Sequence, residues 1–63
     1  MSVRAELSSV STSLDELLGR ITRIADALSG EERDVVGPDL FEVERSLRMA
    51  RRRVNRIVDA TKA

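Results

Sequence analysis

The chain of 63 residues has no cysteine, no histidine, no tryptophan and no tyrosine, and Phe41 is its only aromatic side chain. Without cysteine there is no disulfide staple and no thiolate ligand, so stability has to come from packing or association. Without histidine the commonest general base and a principal transition-metal ligand are also gone. The carboxylates do not compensate: neither a Glu-x-x-His pair nor a calcium-loop spacing is present. The serine cluster Ser8, Ser9, Ser11 and Ser13 has no base to activate it. The expectation is a protein that is not an enzyme and holds no metal and no cofactor. There is no run of 18 apolar residues and no signal-peptide core near the start, so a cytoplasmic chain without a transmembrane segment is expected. Arginine outnumbers lysine ten to one, the signature of a high-GC, bacterial genome.

Helix breakers are scarce as well. Pro38 stands alone, and Gly30 and Gly37 bracket one short stretch, with Gly19 isolated far upstream. What remains is 41% hydrophobic and 35% charged, a mixture suited to long paired helices. Apolar residues fall at Val3, Leu7, Val10, Leu14, Leu17, Ile21, Ile24 and Leu28, in alternating steps of four and three. That is a heptad, abcdefg, with Leu7, Leu14, Ile21 and Leu28 at a and Val3, Val10, Leu17 and Ile24 at d. A second heptad runs through Leu40, Val43, Leu47, Ala50, Val54, Ile57 and Thr61.

These stripes predict one all-α domain over residues 1–63: a helix over 3–29, a connection over 30–38 and a helix over 39–61. Gly30 is a natural left-handed residue after the first helix. Asp39 with Glu42 suggests a capping box opening the second. The serine-rich stretch is a poor helix former, and Ser13 with Glu16 offers a later start for helix one. The register can be tested from numbers alone, because facing residues of an antiparallel hairpin have a nearly constant sum. Leu28 with Leu40, Ile24 with Val43, Ile21 with Leu47, Leu17 with Ala50, Leu14 with Val54, Val10 with Ile57 and Leu7 with Thr61 all sum to 67 or 68. The expected fold is therefore an antiparallel two-helix hairpin with a heptad seam.

Two helices cannot enclose such a seam, so the expected function is a small interaction or oligomerisation module. A homo-oligomer, with a dimer favoured, or another protein partner would supply the missing cover. Leu18, Ala25 and Val58 widen the stripes and are the expected contacts in a four-helix bundle. Val35, Val36 and Phe41 form a second candidate, an apolar knob at the hairpin tip ringed by Glu31, Glu32, Asp34 and Glu42.

Charge is segregated along the chain. Residues 1–44 carry ten acids and four bases, net −6, and residues 45–63 carry seven bases and one acid, net +6. Arg48, Arg51, Arg52, Arg53 and Arg56 thus form a candidate anion or nucleic-acid contact, since guanidinium forks match phosphate geometry. The competing account pairs Arg48 with Glu44, Arg45 with Glu42, and the run Arg51 to Arg53 with Asp15 and Glu16 across the hairpin. The absence of stacking aromatics argues against single-strand binding, and the protein-partner reading stands above the nucleic-acid one.

Overall fold

The computed structural model of the chain describes residues 2–61. Helix α1 spans Val3–Ala27 and helix α2 spans Gly30–Ala60, with only Leu28 and Ser29 between them. The two lie antiparallel in an all-α hairpin 51 Å long and 14 by 13 Å across.

Helix α1 begins where the heptad begins. Ser2 has extended φ and ψ; its hydroxyl accepts the Ala5 amide at 3.2 Å, satisfying one amide that helix geometry leaves free, and its carbonyl accepts the Glu6 amide at 3.0 Å as the first bond of the helix. The serine-rich stretch stays helical, with the Thr12 hydroxyl donating to the Ser8 carbonyl at 3.3 Å. The later start at Ser13 is not used.

The connection differs from expectation. Residues 30–38, expected to link the helices, are the first residues of α2, and Asp39 lies inside the helix instead of capping it. The Leu28 amide turns back to the Ala25 carbonyl at 3.2 Å, Ser29 is extended, and Gly30 adopts φ +56. That left-handed value is open to glycine at little cost, and it lets two residues do the work of a reversal. Ser29 occupies the cap position of α2 but makes no side-chain cap bond. Glu31 and Glu32 in the first turn oppose the positive end of the helix dipole instead.

Pro38 sits within α2. A proline there cannot donate to the carbonyl four residues back, which belongs to Asp34, and its ring crowds the residue before it. Asp34 is exposed, so water can serve that carbonyl, and the preceding residue is Gly37, with no Cβ to clash. In exchange the extended helix brings Gly37 and Leu40 into the hairpin contact, where both are half-buried.

The contact itself lies one heptad position round from the expected seam. The a positions Leu7, Leu14, Ile21, Leu28, Leu40, Leu47 and Val54 are half-buried as expected. The other half-buried row is e on both helices: Ser11, Leu18 and Ala25 on α1, and Gly37, Glu44, Arg51 and Val58 on α2. Leu18, 7% exposed, is the one buried side chain among the described residues. The d residues, expected as seam partners of one another, lie outside it: Val10 43%, Leu17 43%, Ile24 49%, Val43 42% and Ile57 46% exposed.

Polar side chains fasten the e edge. The Ser11 hydroxyl donates to Asn55 Oδ1 at 2.5 Å, and Arg51 Nη1 meets Asp15 Oδ1 at 2.6 Å. Both pairs have numbers summing to 66, which places the antiparallel register within two residues of the sequence expectation.

Substitutions separate these contributions in urea or thermal unfolding. Leu18→Ala is expected to cost about 2–3 kcal/mol. Gly30→Ala forces a side chain into the left-handed region and should cost about 1 kcal/mol or more. Gly19→Ala should stabilise by about 0.5–1 kcal/mol, because a Cβ there meets only the Arg23 side chain, 3.6 Å away. Asp15→Ala should change stability by less than about 1 kcal/mol, since the Asp15 and Arg51 side chains are 58% and 36% exposed.

Candidate interaction surface

The heptad rows sort the surface into faces. In each helix the a row is flanked by d on one side and e on the other. Ser11 and Asp15 of α1 reach Asn55 and Arg51 of α2 along the e edge, so both d rows fall on the opposite face of the hairpin. That face carries Val3, Val10, Leu17 and Ile24 from α1 beside Val36, Val43, Ala50 and Ile57 from α2, every seventh residue on each helix. All eight are exposed in the single chain. The facing pairs Val10 with Ile57, Leu17 with Ala50 and Ile24 with Val43 lie level, so the apolar rows run side by side along the rod.

The expected interface residues are dispersed. Leu18, Ala25 and Val58 belong to the contact between α1 and α2, where the first is buried and the other two half-buried. Leu18 is therefore closed to a partner by its own hairpin. The knob of Val35, Val36 and Phe41 does not form, because an unbroken α2 advances about 100° per residue. Val36 joins the apolar d face, 42% exposed, and Val35, 67% exposed, points outward. Phe41, 58% exposed, lies on the e side and lines a shallow notch with Ala25, Leu28, Gly37, Pro38 and Glu44.

The arginines split between engaged and free. Arg48 Nη2 lies 3.0 Å from Glu44 Oε2, Arg51 is bound to Asp15, and Arg45 stands 3.9 Å from Glu42. Arg52, Arg53 and Arg56 are exposed and take part in none of the salt bridges among the described residues. Arg48, Arg51, Arg52 and Arg56 line a shallow open concavity with Asn55 and Asp59. Arg53 is not part of it and lies by Ser46, Met49 and Ala50. The five candidate arginines thus occupy more than one face, and two of them are already spent on carboxylates.

No group of three or more potential metal-ligating side chains gathers among the described residues. Among the described residues no helix is long and apolar enough to cross a membrane. The d face is the feature that sequence reasoning missed, and its signal was present: Val3, Val10, Leu17, Ile24 and Val36, Val43, Ala50, Ile57 each repeat at intervals of seven. No family model matches the chain, and neither a curated protein nor a solved structure matches it.

Proposed function

We propose that the chain is a small non-enzymatic interaction module that works by self-association, two hairpins pairing through their d faces into a four-helix bundle. The observation that carries this reading is the near absence of an interior: one side chain is buried among the described residues, and eight aliphatic ones stand exposed in two level rows. The accessible surface is 4983 Å², against about 4,000 Å² for a compact protein of this mass. The excess, roughly 1,000 Å² and due in part to the rod shape, is comparable to the ~800 Å² that each partner covers in a stable protein–protein interface. The eight exposed aliphatic side chains form one continuous strip along the rod, and contiguous exposed apolar surface of this kind marks interaction sites.

The arginine concavity supports a second reading, binding to the phosphate backbone of a nucleic-acid duplex, less strongly. Its free guanidinium groups are Arg52 and Arg56, with Arg48 and Arg51 already engaged. Phosphate binding loses affinity steeply as salt rises, whereas apolar association does not.

Light scattering at micromolar concentration is expected to give twice the chain mass. Leu17→Glu should abolish the dimer by placing a carboxylate in the middle of the face, while Val35→Glu, on the outward side of α2, should leave the mass unchanged. A folded wild-type monomer would contradict the proposal. Replacing Arg52 and Arg56 by alanine should leave the dimer intact, and it should remove any salt-sensitive duplex binding.

A further inference from the structure

The d face is bordered by g positions that follow a pattern of their own. On α1 these are Glu6, Ser13, Arg20 and Ala27, and on α2 they are Asp39, Ser46, Arg53 and Ala60, a charged side chain alternating with a small uncharged one on each helix. Across the hairpin Glu6 lies level with Ala60, Arg53 with Ser13, Arg20 with Ser46 and Asp39 with Ala27, since each pair sums to 66, as the two bonded edge pairs do. Every layer of the border therefore offers one protrusion and one recess.

Such a border fits a second copy of itself. With Leu17 and Ala50 at the midpoint, an inverted copy sets its Ala27 against Glu6, its Ser13 against Arg20, its Ser46 against Arg53 and its Ala60 against Asp39. The same inversion stacks Val10 on the second copy's Ile24 and Val43 on its Ile57. A copy laid in the same direction would also match protrusions to recesses, so shape leaves two orientations open.

Charge separates them. The tip of the hairpin, residues 26–44, holds Asp26, Glu31, Glu32, Asp34, Asp39, Glu42 and Glu44 against Arg33 alone, net −6. A parallel pair would gather two such tips at one end of the bundle. An antiparallel pair sends them to opposite ends of a rod 51 Å long, several Debye lengths apart at physiological salt. The arginines do not reverse this preference. Arg45, Arg48, Arg52 and Arg56 lie on the outward and e sides of α2, away from the d face, and Arg20 and Arg53 on its border meet a small residue in either orientation.

We infer that the dimer, which rests on the self-association proposed above, is antiparallel. A twofold axis runs across the apolar face at the level of Leu17 and Ala50, and each helix lies against its own counterpart in the second copy. The absence of cysteine makes the orientation directly measurable. Ser29, exposed in the link, is replaced by cysteine and spin-labelled, and the distance between the two labels is read by double electron–electron resonance, with the mass of the same sample measured alongside. The antiparallel dimer gives about 35–45 Å, from 12 residues of helical rise on each side of the midpoint. The parallel dimer gives less than about 20 Å, since the labels then sit on neighbouring helices.

The unlabelled Ser29→Cys dimer should also resist oxidation to a disulfide. A dimeric mass with a short distance or a ready disulfide overturns the antiparallel arrangement alone. A monomeric mass without any intermolecular distance overturns self-association itself, and leaves the face to a different protein.

Discussion

An α-helix that pairs with a single neighbour can close only one side of its central apolar row. In this hairpin the central row is a, and the chain spends its one intramolecular contact on the e side. The d side, the more uniformly aliphatic of the two flanks, is left in water. The shape of the molecule and the functional proposal both follow from that division. The same sequence that makes a well-registered hairpin makes an incomplete one, and association is the physical completion that needs no new residue.

The division of labour between the flanks is chemical. The e edge contains Ser11, Glu44 and Arg51, which make directional bonds to Asn55, Arg48 and Asp15, and these tolerate solvent. Each such contact contributes little stability, but the two that cross the hairpin, Ser11 with Asn55 and Asp15 with Arg51, hold a register that sliding aliphatic rows alone would fix weakly. Leu18 gives that edge its one buried anchor. Only the d face offers an aliphatic side chain at every repeat, and apolar area is the currency of association. In the proposed dimer charge plays a different part, in which the acidic tip sets the orientation of the two copies.

Much of this was legible in the residues. The antiparallel hairpin followed from two heptads whose facing numbers sum to a constant, the start at Val3 from the first heptad against the pull of the serine-rich stretch, and the left-handed Gly30 from its place after the last apolar residue of that heptad. The side of closure was not legible. Positions d and e both flank a on a helix, about 60° to one side and 40° to the other, and apolarity alone favours the wrong one when the right one is fastened by polar bonds. The extent of α2 was misjudged because Pro38 ordinarily ends helices. The counter-signal was Val36, which continues the seven-residue spacing of Val43, Ala50 and Ile57 straight through the proline. Once α2 is continuous, Val35, Val36 and Phe41 must diverge, and the expected knob dissolves for the same reason.

The central claim is that the isolated hairpin is structurally incomplete and is stabilised by a second copy. The most direct measurement is the urea midpoint of unfolding, followed by circular dichroism across a hundredfold range of protein concentration. For a folded dimer and an unfolded monomer the midpoint rises with concentration, because mass action favours the associated state. A cooperative transition with a midpoint unchanged over that range would show that one hairpin is stable alone, and would contradict the account.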